Sequence, residues 1–268
     1  MNKYKGQYYE ARHQNTTYAA NVILSEILGF LPPVYSVVDL GCGVGTWLAA
    51  IQDKGIQDVQ GIDGPWVNED LLVIPKENFL KFDLTQPIQL NRCFDLAISL
   101  EVAEHLPPDS ANIFVTSLTN LSDFVLFSAA IPLQPGRNHL NCQWPDYWAN
   151  LFRQRGYVVL DVVRRRIWTD NQIPVWYRQN ILLFVKSGRV KDLRINPETL
   201  LSYPAPLSMI HPDVYLAMTT LKGSRYLLGR ALKHWFLRKL VQVNKFLPQV
   251  NKINHVEKNQ EICLTDKT

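Results

Sequence analysis

Residues 37–49 read VVDLGCGVGTWLA. An apolar run closes on Asp39 and Leu40, glycines follow at 41, 43 and 45, and helix-forming sequence begins at Thr46. That is the pattern of a buried parallel strand, a glycine turn and a helix N-terminus. Glycines there let backbone N–H groups come close to a ligand, and the helix end adds a partial positive charge. The spacing is G-x-G-x-G, with Thr46 where a dinucleotide site carries its third glycine. A nicotinamide dehydrogenase is therefore a poor match. Its short-chain variety also needs a Tyr-x-x-x-Lys pair, and no tyrosine here has lysine four residues on.

Working outward, residues Tyr4 to Phe30 predict a helical lead-in closed by Gly29 and the breaker Pro32-Pro33. Strands are predicted at Ser36–Leu40, Val59–Ile62, Phe79–Phe82, Phe94–Leu100, Phe124–Ser128, Val158–Arg164 and Asn180–Lys186. Helices are predicted near Thr46–Lys54, Asp109–Asn120 and Pro145–Gln154. Strands separated by helices predict an α/β protein with a doubly wound, Rossmann-like and mostly parallel seven-stranded sheet. No helix is predicted between the last two strands, so they read as an antiparallel terminal hairpin. The expected organisation is a lead-in over 1–33, a ligand-binding domain over 34–188 and a proline-marked linker over 189–212. A basic amphipathic helical extension over 213–256 and a disordered tail over 257–268 complete it.

Bulk properties narrow the class. A chain of 268 residues, 47% hydrophobic, can bury one sizeable core with an appendage. Cys42, Cys93, Cys142 and Cys263 are far apart, which argues against a disulfide framework or a zinc site and fits a reducing cytoplasm. The N-terminus lacks a signal-peptide apolar stretch, and no run approaches the ~20 apolar residues of a membrane span. The net charge of +4 is unevenly spread. Eight Lys and Arg residues lie between Lys222 and Lys252 with no Asp or Glu among them, so the rest of the chain is slightly acidic.

In an open parallel sheet the ligand sits beyond the carboxyl ends of the strands. Asp63 ends the second strand, and a carboxylate there can accept hydrogen bonds from both hydroxyls of a ribose. With the glycine loop and Asp39, this resembles the class I S-adenosylmethionine-dependent methyltransferases, over roughly Asn15 to Gly188. The resemblance implies S-adenosyl-L-methionine as cofactor, Asp39 facing its amino acid end, and Gly41, Gly43 and Gly45 beside it. It also implies Asp83 on the adenine amino group with Phe82 or Leu84 beside the ring. The segment FDLAISLEVAEHLP, residues 94–107, would line the methionine end and brings in Glu101.

Methyl transfer to a hydroxyl needs in-line positioning and one base. The loops Ile131–Trp144 and Arg165–Asn180 cap the same sheet edge and carry aromatic, amide, imidazole and guanidinium groups. Asn141, Gln143, Trp144, Trp168, Trp176 and Arg178 are the expected acceptor-binding residues, a set suited to a polyhydroxylated or charged molecule such as a sugar. His139 is the expected base, because imidazole titrates near neutrality. If the chain turns helical after Glu101, then Glu101, Glu104 and His105 share a face, and with His139 they could hold Mg2+ or a similar ion. The same E-x-x-E-H pattern resembles metal-assisted O-methyltransferases, and it also occurs in methyltransferases where Glu104 and His105 would only shape the pocket. The latter role is favoured here, and a metal is left open.

More narrowly, NHLNCQWPDYWANLFRQRGY, RRRIW and VWYRQNILLFV resemble bacterial methyltransferases associated with surface-polysaccharide gene clusters. That implies a glycan or nucleotide-sugar acceptor. Those relatives commonly have Glu where Cys142 stands, so any role of that acid does not carry over. RNA or a quinone-like small molecule as acceptor, or a non-catalytic cofactor-binding module, are the competing readings. Nucleic acid is disfavoured because positive charge gathers in the tail rather than around the pocket loops. The tail's apolar Leu228, Leu232, Trp235, Phe236, Leu240, Val243 and Leu247 recur at three- and four-residue steps. Such a cationic helix could touch an anionic membrane surface, pack on the domain or pair with another subunit. The expected location is the cytoplasm, with contact at the inner membrane face through that helix. Oligomeric state is not legible.

Overall fold

The computed structural model describes residues 6–195, 206–219, 228–229 and 232, with side-chain surroundings from residue 16 onward. The chain divides into two compact units, Met1–Leu216 and Ala217–Thr268. The predicted basic extension and disordered tail lie almost wholly outside the described residues. In the second unit Leu228 and Leu232 are helical and exposed. Among the described residues, no helix is long and apolar enough to cross a membrane.

The first unit is built on a seven-stranded sheet. Its strands are β1 (Ser36–Leu40), β2 (Asp58–Asp63), β3 (Phe79–Lys81), β4 (Leu96–Leu100), β5 (Phe124–Ser128), β6 (Tyr157–Leu160) and β7 (Leu182–Lys186), in the order β3-β2-β1-β4-β5-β7-β6. Strands β1 to β5 pair in parallel, whereas β7 is antiparallel to both β5 and β6. This is the expected Rossmann-like architecture. All five residues of β1, β4 and β5 are buried, as strands covered on both faces must be. Successive side chains alternate between two cores. Val37, Leu96, Ile98 and Leu126 join one, while Val38, Ala97, Val125 and Phe127 join the other.

Helices cover each face. Helix α1 (Gly6–Phe30) turns Ala19, Ala20, Ile23, Leu24 and Ile27 inward at three- and four-residue steps and shares the first core with α2 (Thr46–Asp53). On the other face α3 (Ala111–Leu121) buries Phe114, Val115, Leu118 and Leu121, and α4 (Pro145–Arg153) buries Trp148 and Phe152. The switch point lies between β1 and β4, where the order reverses, and the ligand edge is therefore above the end of β1.

Two details differ from expectation. Short helices α5 (Arg164–Ile167) and α6 (Val175–Asn180) stand between β6 and β7, so Arg164 and Asn180 are helical rather than strand residues. The strands nevertheless pair antiparallel. Residues 207–213, read as the end of a linker and the start of the extension, are pinned to the domain. Fully buried Arg164 pairs with Asp161 at 2.7 Å and donates to Leu207 O at 2.9 Å. Gln179 Nε2 donates to Met209 O at 2.6 Å, and the His211 N–H donates to the Gln179 side chain. Helix α7 (Pro212–Thr219) follows.

Removing one partner of a buried ion pair strands the other. Arg164→Met is expected to lose about 3–5 kcal/mol, seen as a lower urea midpoint with an unchanged slope; a midpoint equal to that of the unmutated protein would contradict this latch.

Candidate active site

The glycine loop is shaped by conformations that only glycine adopts cheaply. Gly41, Gly43 and Gly45 have φ of 90°, 57° and 89°. A Cβ on Gly41 would drive into the Val102 side chain, and one on Gly45 would lie 2.8 Å from Ile74 Cγ1. Gly45 also occupies the N-cap of α2 without any side-chain cap, so that the first turn of the helix has no capping oxygen.

Asp63 ties the two adjoining loops together. Its Oδ2 accepts from the Gly43 N–H at 2.7 Å and its Oδ1 from the Gly64 N–H at 2.6 Å. A carboxylate at this strand end is of the acceptor type that suits a vicinal diol. Asp39, at the edge of the same loop, is buried and accepts no hydrogen bond among the described residues. Burial pushes its carboxyl well above the ordinary value, and Asp63 adds repulsion in the same direction. The Cys42 thiol between them is pushed up for the same reasons. A desolvated carboxylate beside a glycine loop fits a ligand bearing N–H donors and positive charge at that end. A diol-accepting carboxylate one strand over fits a ribose. These residues therefore fit S-adenosylmethionine.

The third-strand positions are more mixed. Asp83 is exposed, and its Oδ1 accepts from the backbone and hydroxyl of Thr85. Phe82 is half-buried, while Leu84 is a core residue at 2% exposure, packed with Leu40, Ile62 and Val102 rather than open at the cleft. An aromatic not singled out from the sequence sits beside the residue that follows Asp63. The Trp66 ring lies over Gly64, where a Cβ would collide with it. A tryptophan three residues past a strand-end acid was the available signal.

Beyond β4 the chain forms a 3-10 turn over Ala103–His105, not a helix starting at Glu101. Glu101 has φ 57°, which rotates it away from its expected partners. Its carboxylate instead accepts from Gln134 Nε2 at 3.1 Å and Asn180 Nδ2 at 2.9 Å. The expected grouping of Glu101 with Glu104 and His105 is thus corrected. Glu104, His105 and His139 do come together, each offering a ligand atom within 4.8 Å of the others. The loop carrying His139 is docked by two N–H groups, Leu140 and Asn141, on Glu104 O at 2.7 and 3.0 Å. The rings of His105 and His139 meet edge-on at 5.0 Å, and His139 Nδ1 lies 3.4 Å from Cys142 Sγ. Gly136, also missed, makes room for that ring, since a Cβ there would strike His139 Nε2.

The expected acceptor residues divide. Buried Asn141 accepts from Gln143 Nε2 at 2.9 Å, leaving its own Nδ2 without a partner, and Trp144 is 39% exposed on the same loop. Arg178 is corrected: it is buried, and its guanidinium is held by Ile173 O, Trp168 O, Asn171, His211 and Asp213. Trp168 packs against His211 with ring centroids 4.3 Å apart, and Trp176 packs on the first core. These three anchor loops. The carboxylate that claims Arg178 lies 35 residues away in sequence, beyond any local signal.

The sheet order, glycine loop and strand-end acids together define a Rossmann-like methyltransferase fold. A family model described as a methyltransferase domain matches residues 11–155, more than half of the chain, and the chain belongs to that family. Similar solved structures include an O-methyltransferase family protein from Burkholderia thailandensis, at 15% identity and TM-score 0.47. That match covers 67% of this chain and 58% of the other, so the chain spans under two thirds of that protein's length. Another is the magnesium protoporphyrin IX methyltransferase of Synechocystis PCC 6803 with bound SAH, at 21% identity and TM-score 0.45, covering 65% and 84%. A SAM-dependent methyltransferase from Archaeoglobus fulgidus matches at 15% identity and TM-score 0.47, covering 67% and 99%. No curated protein matches the chain.

The Asp39 carboxyl has a raised value in the folded state, so its ionisation opposes folding. The penalty is absent below the unfolded value of 3.8 and grows as pH rises through the folded one. Asp39→Asn is expected to raise the melting temperature of the ligand-free protein at pH 7, with the gain shrinking toward pH 4, while weakening S-adenosylhomocysteine binding. A melting gain independent of pH, or undiminished ligand affinity, would refute this role.

Proposed function

We propose that this methyltransferase moves a methyl group from S-adenosylmethionine to a hydroxyl, on a sugar of a surface glycan or its precursor. The observation that carries the reading is the approach of His139 to Glu104 and His105 at the strand edge that bears the glycine loop. The cofactor supplies an electrophilic methyl on a sulfonium. His139 takes the hydroxyl proton as the oxygen bonds to the methyl carbon, and the C–S electron pair returns to sulfur, leaving S-adenosylhomocysteine. Glu104, 1% exposed, sits 3.9 Å from His105. Gln143 and exposed Trp144 offer hydrogen bonds and an aromatic plane, the means by which proteins hold sugars. The sequence resemblance to polysaccharide-cluster methyltransferases supports the same acceptor class.

The 4.8 Å grouping of Glu104, His105 and His139 favours one second reading, a divalent cation that lowers the hydroxyl's pKa in place of an imidazole base. A chelator separates the two. Transfer that persists in excess EDTA supports the base; transfer that is lost and restored by Mg2+ supports the cation. The basic residues of the tail fit peripheral contact with an anionic membrane, where lipid-linked glycan precursors are assembled.

Incubation with methyl-labelled S-adenosylmethionine and fractionated cell-envelope material is expected to label carbohydrate. His139→Ala should cut transfer about 10²–10⁴-fold with S-adenosylhomocysteine affinity kept, and Gly136→Ala should also slow transfer by displacing the ring. Label entering nucleic acid or a quinone, with none in carbohydrate, would refute the glycan reading. Binding without transfer to any fraction would favour a non-catalytic module.

A further inference from the structure

The loop over 131–144, which carries His139, turns several apolar side chains to solvent, one of them from a backbone conformation that leucine adopts only at a cost. We propose that these side chains, with Ile210 on the same edge, seat the domain on the surface of an anionic lipid bilayer. The proposal extends the tail's membrane contact to the domain itself and does not depend on which acceptor is methylated.

Leu133 is the informative residue. Ile131 to Gln134 form a tight turn closed by the Gln134 N–H on Ile131 O at 3.1 Å, with Pro132 second and Leu133 third at φ 69°. A positive φ at the third position marks a type II turn, where glycine is favoured. Leucine there is strained, and it gains no burial in exchange, being 48% exposed. Single exposed apolar residues need no explanation, but a strained one does. Leu140 is 58% exposed and Trp144 39% exposed in the same loop. Ile210, 40% exposed, joins them from residues 207–213, which are held to this edge by Ser208 on Asp146 and by Gln179 on Met209 O.

Charge on this half of the edge favours an anionic partner. Strands β4, β5 and β6 all finish here, because β5 and β6 are both antiparallel to β7. Asp161 is paired with Arg164 and Asp213 with Arg178, while Asp170 accepts from Tyr18 and Gln172, and Asp146 from Ser208. Glu101 and Glu104 are buried, which leaves Asp109, before α3, as the exposed acid without such a partner among the described residues. Against it stand Arg137 and Arg165, both exposed and in no ion pair among the described residues. The loop over 131–144 contains no Asp or Glu at all. In sequence the chain then runs from Asp213 to Glu257 without an acid, and eight Lys and Arg residues fall in that interval.

Aliphatic tips, a half-exposed indole and unpaired guanidinium groups together suit the headgroup boundary of a bilayer. The apolar ends enter the acyl region, and the guanidinium groups meet lipid phosphate. Because His139 lies in the same loop, a bilayer seated there brings hydroxyls of its headgroups, or of molecules anchored in it, toward the imidazole.

Co-sedimentation of the full chain with vesicles tests this. The unmutated protein is expected to bind phosphatidylcholine–phosphatidylglycerol vesicles, and to bind phosphatidylcholine alone more weakly. Leu133→Gly should weaken the anionic partitioning about tenfold, and Leu133→Gly with Leu140→Ser about 100-fold. Leu133→Gly removes strain, so its melting temperature should not fall, and it carries the test if the double variant does not fold. Both variants should keep the S-adenosylhomocysteine affinity of the unmutated protein. If they bind vesicles as that protein does, the tail alone makes the contact and the proposal is wrong. If they instead convert a dimer to a monomer with vesicle binding unchanged, the surface seats a second copy and the proposal is again wrong. If the unmutated chain binds no anionic vesicle, the loop and tail contacts fall together, while the methyl-transfer reading stands on its own assay.

Discussion

The Asp63 carboxylate is the constraint on which the ligand edge depends. One side chain accepts N–H groups from Gly43 and Gly64, joining the loop after β1 to the loop after β2. Hydrogen bonds to an ionised acceptor are among the stronger ones available to a protein. The glycine loop, with three residues at positive φ, is tied through its backbone as well, Gly41 N–H donating to Ile62 O at 2.7 Å and Val73 N–H to Val44 O at 2.9 Å. Asp63 adds a side-chain restraint to these, while the first turn of α2, capped by Gly45, has no side-chain cap. Asp39 is left beside it as a buried carboxylate whose ionisation the fold resists.

The loops after β4, β5 and β6 are organised differently. Each loop is locked by contacts distant in sequence. Two N–H groups on Glu104 O bring His139 to the turn after β4, and the room left by Gly136 lets the ring lie there. Buried Arg164 and Arg178 fasten the α5–α6 region to residues 207–213. The glycine-loop edge thus follows from strand ends, while the region around His139 and α5–α6 follows from long-range docking.

That division explains what could be read from the sequence. Strands β1, β4 and β5 were legible because strands buried on both faces are continuous apolar runs, and the glycine loop was legible because positive φ leaves glycine little substitute. The antiparallel pairing of β6 and β7 was also anticipated, although helices α5 and α6 between them were not, being too short for a periodic signal. Glu101 was misplaced because helical spacing was assumed where a left-handed residue and a 3-10 turn occur. Arg178, Trp168 and Trp176 read as ligand groups for a simple reason: a buried guanidinium and its remote partners look, in sequence, like an exposed one. Leu84 likewise sits at a ligand-edge position yet faces the core.

The central claim is that the main-chain cradle and carboxylates at the ends of β1 and β2 take up an adenosyl cofactor. Equilibrium dialysis of the folded, purified protein against radiolabelled S-adenosylmethionine tests it directly. The account predicts saturable uptake of one molecule per chain, displaced by S-adenosylhomocysteine and not by NADH. Uptake that never saturates, or displacement by NADH alone, would contradict it.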